Sequence, residues 1–456
     1  MTTAGPTTAT AAATAAASRA IASVVDSHLC TSCGTCAAVC PTHAIDLHES
    51  PAGLTVPRVD PDRCALCGRC RRVCPAIHQP ADLPCAPDLP CIGRIQHAVL
   101  AHATTPSLAD NAQTGGLVRA LIAFALATNR ADAALVVADN PANPLRPHAV
   151  LLEEPNDLTS LARSKYCTVP INALLANLQT PARRVVFVGL GCHMQSLDLA
   201  CQQLPWLTDR IALRIGLFCD RVLRFTAIDH LLRCARVAPS DVAAFDYRNQ
   251  ASLGWPGDIL IRTRTNRELS LSRKKRIRAR TFFTPLHCRL CLDKLNTLAD
   301  LSVGDPYGLI PHTQRTAPTA ALVRTPLARE WLDAAQHAGH ITAIPADADT
   351  LVQHQSLTRN RDIANAFAYV LGRRKHPLPP TFTDRSLPAI PRATRLAASA
   401  LLAWTLSADT PTGNRLHRNL PCSLPFLLRA ARSLTQRLTA PFRRTPKSDT
   451  NTHNNP

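Results

Sequence analysis

Two runs of identical spacing constrain this chain more than any other feature: CTSCGTCAAVCP at residues 30–41 and CALCGRCRRVCP at 64–75. Each reads C-x-x-C-x-x-C-x-x-x-C-P. Spacers this short let three thiolates converge on one metal cluster, while the helix and proline that follow carry the fourth thiolate across to a second cluster. The expected sets are therefore Cys30, Cys33, Cys36 and Cys74 for one cluster, and Cys64, Cys67, Cys70 and Cys40 for the other. Gly34 and Gly68 fall inside the ligand loops, where backbone must pass close to inorganic sulfide. Zinc is the structural rival for any single C-x-x-C pair, and two quadruple runs, each closed by proline, argue against it.

The pattern is that of a ferredoxin-like domain with two 4Fe-4S clusters, placed at residues 26–80. AIDLHES and LTVPRVD, between the runs, alternate as the short strands of a hairpin. Residues 1–25 read as a flexible tail of small, almost uncharged residues, and QPADLPCAPDLPC makes 81–94 a proline-rich linker with Cys85 and Cys91 as unassigned thiols. The full chain of 456 residues is long enough to bury a core without disulfides, so its 18 cysteines call for a chemical reason. With no secretory signal and no apolar run of about 20 residues, the expectation is a cytoplasmic protein without a transmembrane segment.

The formal charge of +19 comes mostly from arginine, since only six lysines occur. Such a balance favours acidic partners. The densest cluster, SRKKRIRAR at 272–280, reads equally as a solvated loop or a binding element. It lacks the interleaved aromatics of a nucleic-acid platform, so no nucleic-acid partner is expected.

From residue 95 the pattern becomes α/β. HAVLAHA, the helical TGGLVRALIAFALATN and AALVVAD form a strand-helix-strand unit; NDLTSLARSKY reads as a capped helix; ARRVVFVGL runs into the helical GCHMQSLDLACQQ, and RIALRIGLFC is the next strand. This alternation predicts a mostly parallel sheet with its ligand site at the carboxyl ends of the strands, where Gly189, Gly191, Cys192 and Cys219 fall. GLGCHM has too few glycines for a dinucleotide fingerprint. DVAAFDYR, DILIRTR and RELSLSR read as antiparallel strands, and TAALVRTPLAREWLDAAQHAGHITAIPA as strand, helix and strand. Cys167, Cys201 and Cys234 read as buried thiols, and Asp293 and Asp305 as turn or capping residues rather than general acids.

QTGG at 113, RSKY at 163, VGLGCHMQSL at 188, IGLFC at 215 and HCRLCLDKLNTLADLSVGD at 287 together resemble the beta subunit family of coenzyme F420 hydrogenase/dehydrogenase. The resemblance covers roughly 95–350, divided into parts at 95–182 and 183–350 and preceded by the fused ferredoxin domain. It implies a flavin-binding α/β body in which FAD exchanges electrons with 4Fe-4S clusters. Gln113, Gly115, Gly116, Ser164, Lys165 and Tyr166 are the implied flavin-lining residues, with Gly189 and Gly191 in the strand-to-helix turn. The family's usual G-x-P-C is G-L-G-C here, with Gly191 in place of proline. The resemblance also brings Cys192 and Cys219 to Cys288 and Cys291, implying a third 4Fe-4S cluster, with structural zinc or no metal as rivals.

The implied partners are an acidic ferredoxin or reduced coenzyme F420 as electron donor or acceptor, within a larger redox complex. The alternatives are a non-enzymatic electron-transfer subunit and a ferredoxin-dependent reductase of an organic group such as a vinyl. No residue is assigned a catalytic role. Residues 351–456 form an extension with proline-rich breaks, and LPFLLRAARSLTQRLTAPFRR within it reads as a basic amphipathic helix able to touch a membrane surface peripherally.

Overall fold

Val185–Gly189 is apolar at every position and buried throughout, as befits a strand covered on both faces. In the computed structural model, which describes residues 21–423 apart from 111, 156, 157, 159, 160, 162, 180, 251–253, 312–316 and 384, this strand is β6 of an eight-stranded sheet. The strands are β3 (His97–Ala103), β4 (Ala133–Ala138), β5 (His148–Leu152), β6, β7 (Ile211–Leu217), β11 (Leu301–Gly304), β12 (Thr319–Val323) and β13 (Ile341–Ala346), in the order β13-β3-β12-β11-β7-β6-β4-β5. A ferredoxin hairpin, β1 (Ile45–Glu49) with β2 (Thr55–Val59), precedes it. A separate antiparallel sheet of β8 (Val242–Asn249), β9 (Asp258–Thr263) and β10 (Glu268–Leu271) is inserted before β11.

The α/β expectation holds, with one correction to the sheet. It is mixed, because only the β4-β6, β6-β7 and β7-β11 ladders are parallel while β5, β12 and β13 pair antiparallel. The two strands of the strand-helix-strand unit at 97–139, β3 and β4, are not neighbours: β12, β11, β7 and β6 lie between them. Alternate side chains sort to opposite faces. Val186 and Val188 pack with the helices Leu117–Ala127 and Pro326–His337, whereas Val185 and Phe187 pack with Ile171–Leu178 and Gly191–Gln203.

Several segments are more ordered than their composition suggests. Residues 21–26 are helical, with Ile21 and Val24 buried, so 21–25 do not belong to a flexible tail. The proline-rich linker is packed: Asn365 donates to Pro87 O at 2.8 Å, Arg324 donates to Ile92 O and Arg94 O at 3.0 and 2.8 Å, and Cys85 and Cys91 form a disulfide. Cys234 likewise pairs with Cys422 rather than remaining a free thiol. The helix expected over NDLTSLARSKY does not extend through its end, where Leu161 bridges Ala138 and 163–166 have no regular structure. SRKKRIRAR is not a loop but the start of the helix Arg273–Phe283, capped by Ser272. The basic amphipathic segment of the C-terminal extension lies outside the described residues.

The ferredoxin domain is held on two sides. Helices Leu357–Arg373 and Arg392–Ser407 of the extension share a core with Leu29, Cys30, Cys74, Leu286 and Leu290. On the body side the first cysteine run lodges against residues 170–173. A Cβ on Gly34 would lie 2.9 Å from both Ala173 N and Pro170 O, and its φ of +87° is itself one that side chains disfavour. Asn172, fully buried, donates through Nδ2 to Thr35 Oγ1 (2.9 Å), Ser196 Oγ (2.9 Å) and His193 O (3.0 Å), and Thr35 Oγ1 donates to Ser196 Oγ at 2.8 Å. Asn172→Ala strands these buried groups. A loss of about 1–3 kcal/mol is expected, measured as a shift in the chemical denaturation midpoint, and an unchanged midpoint would show that the knot does not hold the domains.

Candidate functional site

Cys192 is the second residue of the helix Gly191–Gln203, and Cys219 follows β7. The loop after the short helix Leu286–Arg289 is stitched to those strand ends: Asn296 Nδ2 donates to Gly189 O at 2.9 Å, and Cys219 N donates to Lys294 O at 2.9 Å. This places Cys192, Cys219, Cys288 and Cys291 around one cavity of ≈ 90 Å³, whose wall also includes Leu190, Gly191, His193 and Asp293. Burial and the neighbouring thiols push Cys192 and Cys219 well above the ordinary thiol range, and burial pushes Cys288 to about 11 and Cys291 to about 12. Four thiolates gathered in so dry a place need positive charge among them.

The spacing of the thiols bears on which metal fits. A tetrahedral zinc with Zn–S bonds of about 2.3 Å holds its sulfurs about 3.8 Å apart. No three of the sulfurs of Cys192, Cys219, Cys288 and Cys291 lie mutually within 4.8 Å. A cubane sets four irons and four sulfides between its thiolates and needs this wider cage. The donor set therefore fits a 4Fe-4S cluster better than a single zinc.

The ferredoxin thiols lie near one another in overlapping groups. Cys74 lies close enough to Cys30 and Cys33 for their charges to interact, and Cys36 interacts with Cys30, Cys33 and Cys74 and also with Cys70; Cys70 interacts with Cys67, Cys40 and Cys64. Cys192 in turn feels Cys33, so the first ferredoxin set adjoins the central one.

A second cavity, of ≈ 400 Å³, opens at the carboxyl ends of β4, β6, β7 and β11. Gln113, Gly116, Ser164, Lys165, Tyr166 and Gly189 line it; Gly115 and Gly191 do not. Gly115 packs under β3, where a Cβ would lie 2.3 Å from Ala101 O. Gly191 belongs to the thiol cavity, and its lack of a side chain has a local reason: a Cβ there would lie 2.9 Å from Asp293 Oδ2 and 3.0 Å from Asp293 O. The two cavities share Leu190, His193 and the stretch from Cys219 to Val222. His193 stands in this partition with Nδ1 accepting from Leu190 N at 3.2 Å, and burial holds it down to about 4, a neutral imidazole.

The larger cavity is strongly cationic, which the sequence reading missed. Arg119, Arg221, Arg276 and Lys294 line it beside Lys165, and buried donors Arg119 Nη1, Arg221 Nε and Arg276 Nε have no hydrogen-bond partner among the described residues. Arg119 carried a signal, as a lone charge inside the apolar helix LVRALIAFALA. Arg276 lies with its guanidinium 4.3 Å from the centre of the Tyr166 ring. Asp305 is no capping residue: it accepts from Arg248 Nη1 (2.8 Å), Arg248 Nη2 (2.7 Å) and Trp255 Nε1 (2.8 Å). Burial raises its pKa, but the Arg248 charge and these bonds outweigh that and hold it below the usual carboxylate range. Asp293 does act locally, accepting from Thr297 N at 2.9 Å.

Comparison with known proteins agrees with this architecture. The family described as coenzyme F420 hydrogenase/dehydrogenase, beta subunit N-term, matches residues 98–176, its C-terminus counterpart matches 182–349, and a 4Fe-4S dicluster domain matches 29–77. A coenzyme F420-dependent sulfite reductase of Methanocaldococcus jannaschii is 25% identical over 308 residues, covering 62% of this chain and 43% of that protein. The chain thus spans less than half the length of that relative. An uncharacterised protein of the same organism is 27% identical over 199 residues, 42% of this chain and 69% of its own length. In fold, a chain of the F420-reducing [NiFe] hydrogenase complex from Methanosarcina barkeri superposes with a TM-score of 0.50 at 20% identity, over 61% of this chain and 92% of that one. No helix among the described residues is long and apolar enough to cross a membrane.

Removing one partner of the buried Arg248–Asp305 pair leaves the other uncompensated. Asp305→Asn is expected to destabilise the protein by about 3–5 kcal/mol, seen as an earlier thermal unfolding of the body. A change under about 0.5 kcal/mol, the size of a surface substitution, would contradict the pairing.

Proposed function

The chain belongs to the coenzyme F420 hydrogenase/dehydrogenase beta subunit family, and on that footing we propose that it is an oxidoreductase carrying FAD and three 4Fe-4S clusters. The observation that carries this reading is the shared wall: the thiol cavity and the cationic cavity meet at Cys219–Val222, and the thiol cavity adjoins the first ferredoxin set through Cys33 and Cys192. When bound, a flavin exchanges two-electron for one-electron chemistry and the clusters carry single electrons.

The proposed ligands are Cys30, Cys33, Cys36 and Cys74; Cys64, Cys67, Cys70 and Cys40; and Cys192, Cys219, Cys288 and Cys291. Around the flavin, Arg119, Arg221 and Arg276 supply the buried donors that a dinucleotide's pyrophosphate can satisfy. Gln113, Gly116, Ser164, Lys165, Tyr166 and Gly189 shape the remaining wall. Lys165, anchored to Asp139 at 2.5 Å, holds its charge at the cavity edge. His193, neutral and fixed by Leu190 N, fills the partition without adding charge. The outside partner is a low-potential carrier, reduced coenzyme F420 or a ferredoxin. Coverage of nearly the whole hydrogenase-complex chain also favours a second reading, in which this protein is one electron-transfer subunit of a larger complex.

FAD binding to the purified apoprotein tests the proposal. FAD should bind more tightly than FMN, and Arg276→Ala should weaken FAD binding about tenfold or more, the scale of one lost charge-assisted hydrogen bond. Failure of the parent protein to bind any flavin would refute it.

A further inference from the structure

Aligning the two cysteine runs residue for residue exposes an asymmetry. Cys33, Thr35, Ala37 and Ala38 of the first run correspond to Cys67, Arg69, Arg71 and Arg72 of the second. The first run carries no charge and faces inward, with Ser32, Cys33, Thr35 and Val39 all buried and Thr35 tied to Ser196. The second run faces solvent. Among the described free cysteines, Cys67 alone is exposed. Within residues 58–72, Arg58, Arg63, Arg71 and Arg72 are exposed and Arg69 is half-buried, against the acidic residues Asp60 and Asp62. Arg72 braces this rim, donating to Cys67 O at 3.1 Å and to Gln203 Oε1 at 2.5 Å.

Two copies of one motif have thus taken opposite surfaces. Uncharged residues suit the copy that docks inside the protein, where an unpaired arginine would be costly. An exposed thiol in a segment rich in exposed arginines suits brief encounters with a carrier of opposite charge, because such pairs associate through electrostatic steering over a small area. Resting on the redox reading above, we propose that the face formed by residues 58–72 is the docking surface for an acidic one-electron carrier protein.

The test uses the full chain, loaded with its metal, and an acidic two-cluster ferredoxin, with binding read by calorimetry at low and high salt. The triple variant R63E/R69E/R71E should weaken binding about thirtyfold or more at low salt and flatten its salt dependence. A matched reversal on the exposed cations of the C-terminal extension, R373E/R374E/K375E, should change it less than about threefold. If the triple variant loses iron, the single neutralisation Arg71→Gln replaces it, with an expected weakening of about threefold. Equal effects from both reversals, or ferredoxin binding unmoved by changes at 63, 69 and 71, would overturn the docking surface. Reduction of bound flavin by methyl viologen radical cation, generated with dithionite and small enough to need no such surface, is followed in parallel. Its absence while the ferredoxin still binds through these arginines would sink the redox reading and leave the docking surface standing.

Discussion

The buried contact of Thr35, Asn172 and Ser196 is the joint on which the arrangement depends. Thr35 lies between Cys33 and Cys36, and Asn172 N also donates to Cys33 O at 3.0 Å. Ser196 lies one turn beyond Cys192 and donates to Cys192 O at 3.1 Å. One side-chain amide therefore fixes a ferredoxin ligand loop against the helix that presents a thiol of the body. Buried polar networks of this kind hold one arrangement because any displacement strands donors away from water. The apolar seam with the helices of the C-terminal extension closes the domain from the other side, so the spacing between the two thiol sets is set by packing on both faces.

Charge is distributed by the same logic. Among the described residues seven arginines are buried, with Arg119, Arg221, Arg248 and Arg276 at the larger cavity. A net charge of +19 is thus not merely a solubilising surface: part of it is turned inward toward a site with several unsatisfied donors. Beside it lies the opposite case, four thiols whose burial disfavours ionisation until cations occupy the cage. The two cavities are complementary in what they would attract, anionic groups in one and metal in the other, and they meet at Cys219.

Much of this was legible in the sequence because it rests on local spacing. The two cysteine runs, the hairpin between them, the buried strands that lead to Gly189 and to Cys219 just beyond, and the α/β character all follow from short-range pattern. The isolated Cys288 and Cys291 became interpretable only through the family resemblance, since the contacts of Lys294 and Asn296 with the strand ends are tertiary. The sheet's antiparallel strands escaped because an apolar run such as TAALV shows burial and not direction. The linker read as loose because prolines signal turns, and nothing local announces that Asn365 and Arg324 will bind its carbonyls. The inward face of SRKKRIRAR was hidden by its charge density: Arg276 and Arg280 reach the cavity while Lys274 stays exposed, a helical division that a run of nearly uniform charge conceals.

The central claim is that Cys192, Cys219, Cys288 and Cys291 hold a cubane rather than a single ion. The direct measurement is iron, acid-labile sulfide and zinc per chain after anaerobic purification, made on the parent and on Cys288→Ser. Three cubanes give about twelve irons, with matching sulfide and no zinc, falling to about eight irons in the variant. About eight irons in both proteins, with one zinc in the parent that the variant loses, would contradict the claim.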